Sequence, residues 1–328
     1  MANSSPPAAG PLFVSSGDMV ADRRYKTALD YAARGDFEAA IDILAQTVEL
    51  APAFATAWFA LGAMRDRLGD RVGAIAAFEK ARDSDPDDYH GARLHLDRLG
   101  ASKVTPEMTA VYVRRLFDQH APSFDKSLVE RLGYRGPALL QGAVQRVCAT
   151  IGRPARFDAT LDLGCGTGLA GMAFRPLAAH VTGVDLSSRM IAEADKKQCY
   201  DRLEVGEFNL FLLAEAAEGR RYDLVIAADV LVYMADFPGA AAKVANVLAG
   251  DGLFAFTVET HTGEGMILGE TLRYAHAPAH VAQVLAAAGL TMLSAEPDSI
   301  RSEKGVPVPS LVVVARHNQP VPSPGGPA

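Results

Sequence analysis

Leu161-Asp-Leu-Gly-Cys-Gly-Thr-Gly-Leu-Ala-Gly171 is the stretch that decides how this chain folds. An apolar run from Phe157 to Leu163 leads into it and predicts a buried parallel strand that carries an acid, Asp162, near its end. Gly164, Gly166 and Gly168 follow at alternate positions. Glycine accepts positive φ and lets a ligand approach the backbone with no Cβ in the way. The next segment, Leu169 to Ala179, predicts a helix. Strand, glycine turn, helix is an order that aims free backbone N–H groups at a ligand. A second apolar strand, His180 to Val184, runs into Asp185. That acid lies about 20 residues past the turn, the spacing of a carboxylate that grips ribose hydroxyls. The pattern predicts a site for a nucleoside-bearing cofactor.

The chain around this stretch has 328 residues, which favours two domains over one. Its 49% hydrophobic and 22% charged residues suit a well-cored globular protein. A net charge of −7 argues against a general nucleic-acid binder, because phosphate binding needs a basic face. Cys148, Cys165 and Cys199 form no CxxC pair, which favours a reducing compartment. Residues 1–18 have neither the basic start nor the apolar core of a signal peptide and read as a disordered Ser/Pro/Ala tail. No apolar run approaches the ~18 residues of a membrane span, so the expected location is the cytoplasm.

Residues 19–99 predict helices joined by short turns. Pro52 and Pro86 stand 34 residues apart. A repeat started at Ala55 places Trp58, Leu61, Gly62, Ala74, Phe78, Ala81 and Pro86 in a 34-residue pattern. One started at Ala21 places Ala28, Tyr31, Ala40 and Pro52, with Arg24 where a bulky aromatic is usual. The small residues Ala28, Ala40, Gly62 and Ala74 permit close helix crossings. This segment resembles tetratricopeptide repeats. The resemblance implies either a groove for a protein partner or a helical extension that only stabilises its neighbour.

Residues 100–317 predict the second domain. Glu107 to Leu140 carries apolar residues at helical spacing, interrupted by Pro122 and Pro137. Its phrase Phe117-Asp-Gln-His-Ala-Pro-Ser-Phe124-Asp125 is aromatic-rich, and reads as a cofactor lid or as simple packing onto the sheet. Strands at 157–163, 180–184, 203–205, 222–228, 253–258, 291–295 and 309–315 alternate with helices at 168–179, 188–197, 210–218, 237–249 and 278–288. Such alternation implies an α/β, Rossmann-like, doubly wound sheet of seven strands. The last connection is too short for a helical crossover, so the last strand is antiparallel. Residues 318–328 read as a disordered Pro/Gly tail.

Two competing glycine motifs fail. A dinucleotide fold wants glycine where this chain has Leu169, and no Gly-Lys-Ser/Thr follows for a P-loop. Asp162-Leu-Gly164-Cys-Gly166-Thr-Gly168 instead resembles motif I of the class I S-adenosylmethionine-dependent methyltransferases. The likeness extends over roughly Pro106 to His317. It implies that Gly164, Cys165 and Gly166 run under the methionine part of the cofactor and that Asp162 helps hold its ammonium. Gly168 keeps the helix close, and Asp185, followed by Leu186, accepts the ribose hydroxyls. Glu207 would accept from the adenine amino group, Phe208 would lie against the ring, and Met190 would touch the adenosine. Asp229 and Tyr233 stand at the cofactor- and substrate-facing edge, with Phe124 as a second substrate contact. The repeats together with Leu272-Arg-Tyr274-Ala-His276 resemble bacterial predicted methyltransferases that carry such repeats. The phrase around Phe124 resembles small-molecule methyltransferases of quinone and biotin pathways.

The implied activity is methyl transfer to an O or N atom of a small-molecule or protein acceptor. The protein supplies alignment and, where the acceptor carries a proton, a base. Glu259, His261, Tyr274, His276 and His280 are the candidates. His276 is favoured as base, against a helix-capping role, and Tyr274 as substrate contact. His276 and His280 lack a third ligand, so no metal is expected. The segment after the fourth strand lacks the Asn/Asp-Pro-Pro-Tyr/Phe and Pro-Cys motifs of DNA-modifying enzymes. The competing class is a repeat adaptor whose methyltransferase-like fold is catalytically silent.

Overall fold

Alternate residues of the central strands enter opposite cores. On β4 (Tyr222–Ala227), Val225 and Ala227 face one cluster while Leu224 and Ile226 face the other. On β5 (Leu248–Thr260), Phe254, Phe256 and Val258 oppose Leu253 and Ala255. A strand buried on both faces has no polar alternation, which is why these runs are continuously apolar. The helices α10 (Phe208–Ala217), α11 (Phe237–Val247) and α12 (Pro278–Ala287) cover one face. The helices α7 (Gly136–Thr150) and α8 (Leu169–Phe174) cover the other. The computed structural model describes residues 13–101, 108–121, 124–126, 128, 132–303 and 305–318.

The main sheet also contains β1 (Phe157–Leu163), β2 (Ala178–Asp185), β3 (Arg202–Val205), β8 (Leu290–Glu303) and β9 (Val306–His317). Its order is β3-β2-β1-β4-β5-β9-β8. β9 runs antiparallel to both β5 and β8, as its short connection requires. Two further strands, β6 (Met266–Leu268) and β7 (Tyr274–His276), bring the total among the described residues to nine rather than seven. β7 pairs parallel with Glu259 and Thr260, and β6 pairs antiparallel with β7. Three-residue strands leave too little pattern to read. The helix expected over 168–179 is also shorter: α8 ends at Phe174, and a 3-10 turn (Arg175–Leu177) leads into an earlier-starting β2.

The chain divides into two compact units. One runs to Arg115 and includes Glu270–Leu272; the other comprises Leu116–Gly269 and the chain from Arg273 onward. The division falls within α6 (Ala110–His120), later than the expected boundary at residue 99. The first unit is helical: α1 (Met19–Ala33), α2 (Phe37–Leu50), α3 (Ala55–Arg67), α4 (Arg71–Ser84) and α5 (Ala92–Arg98). Asp18, Asp36 and Asp70 cap α1, α2 and α4 with side-chain hydrogen bonds, which sets where each begins. A Cβ at Gly62 would meet the Phe78 ring at 2.8 Å, so α3 and α4 cross closely only because that residue is glycine. The expected disordered tail is corrected from Phe13 onward: Phe13 stacks on Tyr25 at 5.5 Å, and Val14 exchanges hydrogen bonds with Thr56 Oγ1. Residues 1–12 and 319–328, Pro106 and Pro122 lie outside the described residues.

The C-terminal edge of the sheet is tied by charge. Arg301 on β8 has no exposed side-chain surface. It donates through Nη1 to Asp229 (2.9 Å) and through Nη2 to Glu303 (3.0 Å) and Glu259. Burial works against its charge, but the acids hold its pKa above the ordinary value. A buried pair contributes little net stability, yet removing one partner strands the others. Arg301→Met is therefore expected to lower unfolding free energy by about 3–5 kcal/mol, read from urea denaturation. A loss below about 1 kcal/mol would show that water reaches these acids freely.

Candidate active site

The glycine turn leaves β1 with all three glycines left-handed: φ is 60° at Gly164, 53° at Gly166 and 92° at Gly168. A Cβ at Gly164 would strike Val230, whereas a Cβ at Gly166 would point into open space. The first glycine thus serves packing, and the second exposes bare backbone to a ligand. The Cys165 amide donates to the Val184 carbonyl at 3.0 Å, which pins the turn to β2. Its side chain is buried, so this residue offers a ligand only its backbone.

Asp185 ends β2 directly beside that turn. Its Oδ2 accepts the Gly166 amide at 2.9 Å, and its Oδ1 accepts the Ser187 amide at 2.8 Å. Both oxygens are fixed, yet each keeps a lone pair for a vicinal diol. Burial raises its pKa to about 6; the two amides oppose that shift, and the nearby charge of Asp118 adds to it. Leu186 is half-buried beside it. Asp162, two residues before Gly164, is almost fully buried. Its Oδ2 accepts from the Tyr200 hydroxyl at 2.6 Å, while Oδ1 has no hydrogen-bond partner. Burial raises its pKa to about 7, the Tyr200 hydrogen bond lowers it and the charge of Asp185 raises it. A buried carboxylate oxygen left unpaired is costly, and a bound cation or donor would complete it. The open backbone at Gly166, the diol-ready Asp185 and the orphaned Asp162 oxygen fit the ribose and the amino-acid end of S-adenosylmethionine.

The lead-in segment reaches the same place. Asp118, near the end of α6, accepts from the Ser187 hydroxyl, and Asp125 accepts from the Thr167 hydroxyl and from Lys197 Nζ (2.7 Å). The ring of Phe117 meets Phe124 at 6.0 Å and Tyr233 at 5.2 Å, both edge to face. Tyr233 sits in a 3-10 turn (Leu231–Tyr233) after β4, and the Arg273 guanidinium lies 5.0 Å above its ring. Burial lifts the Tyr233 phenol to about 12, against the charge of Arg273. Phe124 and Tyr233, expected as substrate contacts, are thus brought together, and Phe117 joins them.

Other expected roles change. His276 lies on β7 with no exposed surface, edge-on to Phe237 (5.2 Å) and stacked on His280 (5.6 Å). Neither ring nitrogen has a partner, and burial, with His280 and His261, lowers its pKa to about 4. It caps no helix; Ala277 holds that position. In this structure neither His276 nor the equally buried Tyr274 presents exposed surface to an acceptor. Met190 is also fully enclosed, on α9 (Ser188–Lys196), and is core rather than an adenosine contact. Glu207 spends its carboxylate on its own helix: Oε1 accepts from Asn209 and Oε2 from Leu210, both backbone amides at 2.9 Å. It is the N-cap of α10, and Phe208 packs partly against the core. Asp229, at φ 60°, is taken up by Arg273 (3.2 Å) and Arg301 instead of standing free for the cofactor.

Sequence reading missed Tyr200, Arg273 and Arg301 as members of this site, whereas Phe117 and Asp118 belong to the lead-in phrase read as a lid or as packing onto the sheet. The glycines opposite Tyr200 were visible, but nothing in a linear reading says that they face one ring.

Residues 161–254 match a family model described as a methyltransferase domain. Aklanonic acid methyltransferase DauC of Streptomyces sp. (strain C5) is 30% identical over 156 residues, which is 44% of this chain and 64% of that protein. Malonyl-[acyl-carrier protein] O-methyltransferase of Enterobacter lignolyticus is 31% identical over 102 residues, 31% of this chain and 39% of that protein. The chain thus spans less than two thirds of the length of these relatives. Among solved structures, the 1,6-didemethyltoxoflavin-N1-methyltransferase of Burkholderia thailandensis superposes with a TM-score of 0.49 at 20% identity, covering 66% of this chain and 94% of that one. The residues that match the methyltransferase-domain model, 161–254, begin with the glycine motif itself.

Proposed function

We propose that the chain transfers a methyl group from S-adenosylmethionine to an O or N atom of a small molecule. The carrying observation is the pairing of the Gly166 amide with Asp185 Oδ2 next to the half-satisfied Asp162. Bound there, S-adenosylmethionine supplies a sulfonium-activated methyl group. Asp185 accepts the ribose hydroxyls in charge-assisted bonds, and Asp162 Oδ1 receives the ammonium. Phe117, Phe124 and Tyr233 offer edge-to-face aromatic surface to the acceptor, which suits a flat apolar ring system and excludes water from it. One relative named as an aklanonic acid methyltransferase and another named as a malonyl-[acyl-carrier protein] O-methyltransferase support the same reading.

The helical unit is read as two tetratricopeptide repeats with a capping helix. α2 and α4 start 34 residues apart, at Phe37 and Arg71, and the small residues Ala40 and Ala74 occupy matching buried places. Its role is recruitment of a protein partner or a carrier-bound substrate. The cytoplasm is the proposed location: all three thiols are free, and no helix among the described residues is long and apolar enough to cross a membrane.

Calorimetry with S-adenosylhomocysteine tests the donor site. Wild type is expected to bind and Asp185→Ala to lose at least about 100-fold in affinity, the value of two charge-assisted hydrogen bonds. Equal affinity in both would remove Asp185 from the site, and absence of binding in wild type would remove the function. S-adenosylhomocysteine release in the presence of small aromatic acids separates an active enzyme from a silent adaptor.

The two raised acids also set a pH dependence. A carboxyl whose folded pKa exceeds its unfolded value stabilises the fold at pH below the unfolded value, near 4. That contribution is lost as pH rises through about 6 for Asp185 and about 7 for Asp162. Ligand binding needs the ionised forms, so it runs the other way. Affinity for S-adenosylhomocysteine is expected to fall about tenfold or more between pH 7.5 and pH 6. The ligand-induced rise in melting temperature is correspondingly larger at pH 8 than at pH 5.5. A pH-independent affinity over that range would contradict the assignment.

A further inference from the structure

Tyr200 lies between α9 and β3, outside every motif named above. Three glycines from three elements make room for its side chain. A Cβ at Gly171, in the first turn of α8, would collide with the phenol end of the ring. At Gly183 on β2 a Cβ would come within 2.8 Å of the ring, and at Gly168 within 3.1 Å. The ring therefore fills the layer beneath the glycine turn, between the α8 start and β2. Its hydroxyl reaches through to Asp162 Oδ2 at 2.6 Å. The Gly171 amide faces the same carboxyl. The other oxygen, Oδ1, is buried and has no hydrogen-bond partner.

A carboxyl rotates about one bond, so holding Oδ2 fixes the direction of Oδ1. With Oδ2 engaged from below, Oδ1 is the oxygen left over for a ligand. We propose that Tyr200 is the positioning residue of the donor site: it orients Asp162 so that the free oxygen faces the amino-acid end of the nucleoside ligand. The inference rests on the donor-site reading above, and adds to it a residue and a division of labour. Asp185 selects the ribose; the Tyr200–Asp162 pair selects a cationic tail on the same nucleoside. Tyr200 touches no ligand, and acts only through Asp162. Discrimination comes from a buried acceptor that a tail-less nucleoside leaves unpaired.

Two probes separate this from a structural role. S-adenosylhomocysteine carries the ammonium tail; 5′-methylthioadenosine carries the same adenine and ribose without it. Tyr200→Phe keeps the ring that packs against Gly168, Gly171 and Gly183, so the fold and melting temperature are expected to be retained. Calorimetry of the full chain is expected to show S-adenosylhomocysteine bound at least about tenfold more weakly, with 5′-methylthioadenosine unchanged. Asp162→Asn should show the same selective loss, and the double variant should lose little more than either single one, because both changes break one unit. Equal weakening of both probes in Tyr200→Phe would make the residue a support of the turn, and unchanged binding of both would leave it no role; either result overturns the proposal. So would additive losses in the double variant. Failure of wild type to bind either probe would instead overturn the donor site itself, and this inference with it.

Discussion

The hydrogen bond from the Gly166 amide to Asp185 Oδ2 joins the ends of two parallel strands. It exists only because Gly166 holds a left-handed φ of 53°, which turns its N–H sideways out of the chain path. A residue with a Cβ would be strained there, and its side chain would occupy the space the ligand needs. The register of β1 on β2, with Asp162 beside Gly183 and Leu163 beside Val184, brings the turn level with the acid. The sheet order places β4 on the other side of β1, which supplies Val230 to close the turn from behind and Tyr233 to face the aromatic wall. The glycine turn, the acid and the aromatic cluster thus meet at one crossing point at the C-terminal edge of a parallel sheet.

Much of this was legible in the residues. β1 was bounded correctly at Phe157–Leu163, because a strand covered on both faces must be apolar throughout and the glycines end it sharply. The antiparallel last strand followed from a connection too short for a helix. What stayed hidden depends on residues distant in sequence. Arg301 looks like a solvated charge in a polar stretch; it is buried because Asp229 and Glu259 approach from two other elements. β8 was therefore cut short at Ala295, although it continues to Glu303. His276 looked like a loop imidazole near a helix start, but β7 inserts it under Phe237. A three-residue strand has no period of its own, and only pairing with Glu259 and Thr260 creates it. Glu207 carries a second duty that the sequence also hides: an acid ahead of a helix caps it, and both its oxygens accept amides of α10.

The acids of the site oppose the fold that holds them. Asp162 and Asp185 are buried beside one another's charge, and neither touches an arginine or lysine among the described residues. Asp229 and Glu259, a few residues away on the same sheet edge, are neutralised by Arg273 and Arg301. The difference separates what each pair is for. Charges that belong to the architecture have their partners built in, whereas Asp162 and Asp185 meet hydrogen-bond donors: the Gly166, Ser187 and Gly171 amides and the Tyr200 hydroxyl. Such donors orient a carboxylate without cancelling it. Burial, with no cation beside either group to offset it, raises both pKa values and lowers the stability of the ligand-free protein near neutral pH. A ligand that brings a cationic tail to Asp162 and hydroxyl donors to Asp185 removes that cost at the moment it binds. Affinity is then drawn from a strain the empty fold already carries, and selectivity follows, because a nucleoside without the tail relieves only half of it.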